Sequence, residues 1–253
     1  MNKTRVIPVL LLRESGLVKT VKFRDPRYVG DPINAVKIFN EKEVDELVFL
    51  DITATPAGRG PNFDLLADIA GEAFMPMAYG GGVTTIEQVK ALFALGFEKV
   101  IIDSASYDSL ELITVAASIY GSQSIVGCID VRRSLLGRVE LCSHGGTRKQ
   151  SRLLVDHVQS LERHGIGELL VNSVDRDGTR TGYDLKLLRE VSSAVSVPVI
   201  ACGGAGGVDD FVAAVEQGGA SAVAAGSLFV FYGQHRAVLI NYPERKELVA
   251  RLP

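Results

Sequence analysis

Four short stretches in this chain, three of them bearing glycine, have the composition of anion cradles. They read YGGGVTT (79–85), IIDSAS (101–106), ACGGAGG (201–207) and AAGSLF (224–229). Glycine carries no Cβ, so backbone N–H groups in such loops can close on a phosphate. Gly81, Gly82 and Ser104 lie in the first half of the chain, and Gly203, Gly204, Gly226 and Ser227 in the second. Paired seats on opposite halves suit a long ligand with a phosphate at each end. Tight turns also use glycine, but four loops related by an internal repeat favour the phosphate role. Asp103 stands at the tip of the second stretch, where a carboxylate would repel an anion. The seat at 224–229 carries no such charge and is the better of the two.

Proton chemistry is expected beside these seats, and here the sequence breaks its own symmetry. RVIPVLLLRE (5–14) and SIVGCIDVRR (124–133) overlay as one strand written twice, and Asp130 falls on Leu11. A carboxylate at a strand end can move a proton and a leucine cannot. Asp51, Asp177 and Lys19 are the groups that could substitute: Asp51 ends a strand, Asp177 follows another, and Lys19 falls in the loop after the first. Cys202, also at a strand end, has no histidine in an obvious pairing position and reads as a small core residue. His144, His157, His164 and His235 are too dispersed for a metal site and suit helix surfaces or loops. His144 lies in CSHGGTRKQ, a loop that could cover the site, and Arg148 and Lys149 there read as solvated. Neither a metal nor a cofactor is expected.

The elements that must position these groups follow from hydrophobic pattern. Eight short apolar runs occupy 5–12, 46–52, 75–81, 99–105, 124–130, 168–174, 197–204 and 221–227. Most lack a two-residue alternation, as strands buried on both faces of a parallel sheet do. Amphipathic stretches such as TIEQVKALFALGF separate them. Eight such units in 253 residues predict one (β/α)8 barrel domain over 1–253. A shift of about 122 residues lays 46–105 on 168–227 without a gap, bringing Glu46 onto Glu168, Pro76 onto Pro198 and Gly81–Gly82 onto Gly203–Gly204. The expected barrel is therefore two (βα)4 halves.

Bulk properties narrow the function. A net charge of −3 argues against a nucleic-acid or membrane-adsorbing surface. No apolar run reaches 18 residues, and the N-terminal run is too short for a signal peptide. Cys128, Cys142 and Cys202 form neither a disulfide framework nor a zinc pattern. The expected location is the cytoplasm.

At LDITAT, DVRR, NSVDRDGTRTGYD and ACGGAG the chain closely resembles the cyclase subunit of imidazole glycerol phosphate synthase, over essentially its whole length. That resemblance implies a barrel docked at its N-terminal face on a glutaminase. Ammonia would rise through the axis to attack a bis-phosphorylated ribulosyl substrate held partly by Gly178 of DRDGT. Two aspartates act as acid and base in that family. Asp130 matches one, and Leu11 replaces the other, so the cyclisation is expected to be impaired. The family's ammonia gate of two basic and two acidic residues matches Arg5, Glu46, Lys99 and Glu168. Asp45 and Glu98 beside it could meet a basic glutaminase surface. Lys19 resembles the family's active-site lysine, and Asp103 replaces the usual amide.

LVKTVKF (17–23) and GSLFVFYGQHRAVLINYP (226–243) are more similar to second-copy homologues encoded with surface-polysaccharide genes. Those serve acetamidino modification by supplying ammonia to a separate sugar amidotransferase. The resemblance thus implies an ammonia-conducting barrel, with an authentic cyclase or a non-catalytic activator of the glutaminase as alternatives.

Overall fold

The computed structural model describes residues 4–134, 136–233 and 235–252. Eight parallel strands form its centre: β1 (Arg5–Arg13), β2 (Leu47–Asp51), β3 (Met77–Gly80), β4 (Lys99–Ile102), β5 (Ile125–Arg133), β6 (Glu168–Ser173), β7 (Val199–Cys202) and β8 (Ala222–Ala225). Each pairs with the next, and β8 pairs with β1, which closes the barrel. Leu11 near the top of β1 is level with Leu50, then Gly80, Ile101, Val126 and finally Glu168 at the bottom of β6. That descent is the strand tilt that closure requires.

Alternation sorts the side chains. Inward positions such as Ile7, Val48, Ala78, Val126, Leu170 and Ala224 form a small apolar cluster along the axis. Outward positions join the larger core beneath the helices. Local signals start those helices: Asp31 caps Pro32–Glu41, Thr85 and Gln88 form a capping box on Ile86–Ala94, and Asp184 caps Leu185–Ser192.

The repeat is physical as well as textual. A Cβ on Gly81 would meet the Asp51 carbonyl at 2.5 Å, and one on Gly203 would meet the Ser173 carbonyl at 2.7 Å. Both glycines have positive φ. The same tight passage therefore recurs at equivalent positions of both halves.

Three hairpins lie outside the expected pattern: Gly16–Val21 with Arg24–Gly30, Val139–Ser143 with Arg148–Lys149, and Phe231–Tyr232 with Ala237–Val238. Lys19 is accordingly not in a loop but on a strand, paired with Arg27. No helix among the described residues is long and apolar enough to cross a membrane.

Candidate active site

At the N-terminal mouth four charges close a ring. Arg5 bonds Glu46 through one guanidinium nitrogen and Glu168 through the other, the latter at 2.5 Å. Lys99 Nζ donates to Glu46 Oε2 at 2.8 Å and to Glu168 Oε2 at 3.0 Å. Arg5, Lys99 and Glu168 each begin a strand and Glu46 immediately precedes one, which sets all four at one depth. Glu46 is 2% exposed, and only its two cationic neighbours make that tolerable. Asp45 beside the ring accepts the Val6 N–H at 3.1 Å. The apolar lumen lies directly above.

At the opposite end is a cavity of about 480 Å³. Gly81, Gly82, Ser104, Gly178, Gly203, Gly204, Gly226 and Ser227 all line it, as do Leu11, Lys19, Asp51, Asp103, Asp130 and Asp177. One arginine lines the cavity on each half, Arg59 and Arg180. The glycine-bearing loops of the two halves thus share one space. Ser104 is less free than expected: its hydroxyl donates to Asp103 Oδ2 at 3.0 Å and accepts the His144 N–H at 3.0 Å. His144 does line the cavity.

Asp51 is not a free acid. Its Oδ1 accepts from Thr53 N, Thr53 Oγ1 and Ala54 N, and its Oδ2 pairs with Arg59 at 3.2 Å. It organises the loop after β2. Asp177 accepts from Thr20 Oγ1 at 2.7 Å and from Phe23 N, so it anchors the first hairpin over the rim. Burial raises its carboxyl above the usual range. Lys19 donates to the Val9 carbonyl at 2.5 Å, with its head against Gly226. Burial lowers it to about 8, opposed by Asp177. A side chain on Gly226 would collide with that ammonium.

Asp103 departs most from expectation. It lines the cavity with Gly81, Gly82 and Ser104, and its carboxyl also interacts with that of Asp130. Burial raises both carboxyls, and Asp130 raises Asp103 further. Asp130 Oδ1 accepts from Asn172 Nδ2 at 3.1 Å. Asn172 escapes the sequence reading, although it interrupts the apolar part of the run ELLVNSV near its C-terminal end. His157 is corrected from helix surface to core: it is fully buried, stacked on Tyr107 at 4.3 Å and within 3.4 Å of Ser106 Oγ. Burial and Arg152 lower it to about 4. Tyr107 in turn is raised by burial and then by Asp103. Cys202 is buried with its thiol pushed up to about 12, which removes it as a nucleophile at neutral pH. Arg148 and Lys149 are exposed, on a strand, with Lys149 held by Glu140. No group of residues among those described could hold a metal ion.

Comparison with known proteins agrees with this architecture. The model of the histidine biosynthesis protein family matches residues 5–236. A Pseudomonas aeruginosa protein provisionally named imidazole glycerol phosphate synthase subunit hisF2 is 53% identical over 98% of this chain and 99% of its own length. A Vibrio vulnificus protein provisionally named subunit hisF3 of the same synthase is 48% identical, covering 98% of this chain and 95% of its own. A Leptospira borgpetersenii relative, provisionally named subunit HisF, is 45% identical over the full length of both.

Proposed function

The chain belongs to the histidine biosynthesis protein family, and from that premise we propose that it is the barrel half of a glutamine amidotransferase. It receives ammonia from a glutaminase at its N-terminal face and conducts it along the axis to the cavity. The observation that carries this reading is the closed ring of Arg5, Glu46, Lys99 and Glu168 beneath an apolar lumen. Four mutually satisfied charges bar water and ions, while a small neutral molecule can pass when one link opens. The lumen above offers nothing to stabilise an ammonium ion, so neutral ammonia is the species that travels. Isotope competition tests it. With amide-15N glutamine and excess unlabelled ammonium, the complex should place 15N in product; label diluted to the bulk ratio would refute conduction.

Two acceptors are compatible with such a duct. In the first, ammonia passes to a separate sugar amidotransferase for acetamidino modification of a surface polysaccharide, and Leu11 at the rim favours this. In the second, ammonia is consumed inside the cavity on a bis-phosphorylated carbonyl compound, as a cyclase would. Asp103 beside Asp130, together with the paired glycine seats, favours the second. Incubation of the barrel with the ribulosyl substrate and ammonium chloride separates them. Cyclised product supports consumption in the cavity, and its absence supports export to the sugar enzyme.

A further inference from the structure

Asp103 and Asp130 occupy the tops of adjacent strands. The register pairs Ile102 with Gly127, so Asp103 is level with Cys128, and Asp130 is the next inward position on β5. Asp103 is also the next inward position above Ile101, which lines the lumen. Ammonia leaving the axis along β4 meets Asp103 and then Asp130.

Each carboxyl has one side chain holding it. Ser104 Oγ donates to Asp103 Oδ2, and Asn172 Nδ2 donates to Asp130 Oδ1. The other oxygen of Asp103, Oδ1, is buried without a partner, and so is Oδ1 of Asn172, whose residue is 7% exposed and lines the same cavity. A buried acceptor without a donor is costly and uncommon. Here the two acceptors are an oxygen of the Asp103 carboxyl and the amide oxygen of the residue that holds Asp130, so a ligand that brings N–H or O–H hydrogens would satisfy the group. Ammonia is such a ligand, and it is the one the duct supplies.

We propose that Asp103 is the second acid–base group of this site, acting with Asp130 in the condensation of ammonia with a carbonyl carbon of a phosphorylated ligand. This rests on the reading in which ammonia is consumed inside the barrel. The nitrogen lone pair forms the C–N bond while the C=O pair moves onto oxygen. The ionised carboxyl takes a proton from nitrogen, and the protonated carboxyl gives one to oxygen. Loss of that oxygen as water repeats the exchange in the opposite sense, leaving a C=N bond and the original single proton on the pair. No further reactant is required. The surroundings keep one proton there near neutral pH. Burial raises both carboxyls, Asp130 acts on Asp103, and Asp177 acts on Asp130. Tyr107, Cys128 and Cys142 are themselves raised by burial and stay neutral. Lys19, the nearby cation, interacts with Asp177 and Cys202 instead.

The test joins a titration that needs no substrate to a turnover assay. Carbon-13 NMR of barrel labelled at aspartate Cγ should show two coupled midpoints, with that of Asp103 falling by at least one pH unit in Asp130→Asn. With a bis-phosphorylated ribulosyl ketone and ammonium chloride, Asp103→Asn should lose at least 100-fold in turnover, and adding Leu11→Asp should recover at least tenfold. An Asp103 midpoint indifferent to Asp130→Asn would overturn the pairing. Turnover by wild type and Asp103→Asn at the same rate would remove Asp103 alone. Absence of product with the wild type would sink the consumption reading and this proposal with it.

Discussion

The two seams where the half-barrels meet have opposite chemistry. At the β4–β5 seam the rim carries Asp103 and Asp130. Their counterparts by the repeat are Ala225 and Leu11, and these occur at the β8–β1 seam, where β8 runs beside β1 up to the pairing of Pro8 with Ala225. One seam thus holds two carboxyls and the other two hydrocarbon side chains. Both line the same cavity. Two symmetric halves would place one acid on each side. Here the acids are gathered on one side, and the cation Lys19 sits at the apolar seam against Gly226 and the Val9 carbonyl. Burial raises both carboxyls and Asp130 raises Asp103 further, so gathering them on one side favours their protonated forms, whereas separating them would not.

The largest effect expected on this contrast comes from the acid seam. Asp130→Asn should lower ammonia-dependent turnover by about 10²–10⁴-fold, the usual cost of a lost acid–base group. Ala225→Val, at the other seam, should change turnover far less, and steady-state kinetics of the two variants side by side measures the asymmetry. The next effect is on stability at the opposite end of the barrel. Glu46→Ala leaves Arg5 and Lys99 sharing one carboxylate in a buried ring and should destabilise by about 3–5 kcal/mol. Glu168→Ala should cost less, because the Glu168 side chain is 13% exposed against 3% for Glu46. Urea unfolding of the two variants decides the order.

Lys19→Met should weaken binding of a bis-phosphorylated ligand by about 10- to 100-fold, corresponding to one charge-assisted hydrogen bond. Calorimetry with the ligand at pH 6.5 and 9 sharpens this. Affinity should fall at the higher pH, since Lys19 titrates at about 8 and loses its charge above it.

The smallest effect is a pH slope. His157 is lowered to about 4 in the folded chain, so the unfolded state binds more protons between pH 4 and 6.5 and stability falls on acidification through that window. The acid pair has the opposite sign: raised carboxyls contribute stability below the ordinary carboxylate range that is lost as pH rises. In the wild type the two slopes oppose each other. His157→Phe should remove about 2 kcal/mol of acid sensitivity and expose the falling slope of the pair, measured as the pH dependence of the urea midpoint.

Much of this is legible without coordinates. The eight apolar runs coincide with the eight strands because a strand buried on both faces has to be apolar throughout. Arg5, Glu46, Lys99 and Glu168 are singled out by the family resemblance, as charges that fall at the starts of those runs. Lys19 is misplaced by pattern alone because LVKTVKF alternates weakly and its strand exists only by pairing with β1 and with Arg24–Gly30. His157 is misplaced because an amphipathic helix shows which face is apolar, not that a histidine on it will stack on Tyr107. Asp103 stands out in the sequence, but pattern does not show that it interacts with Asp130.

What the sequence determined by itself, then, is the set of strands, the doubled half-barrel, the glycine turns and the charges at the mouth, since each depends on residues close along the chain or on the repeat. What only the tertiary structure decided is which acid faces which. Asp103 and Asp130 are 27 residues apart in the chain, and they become neighbours through the stagger between β4 and β5. A shift of one residue in that register would turn one carboxyl out of the cavity, because side chains alternate between the two faces of a strand.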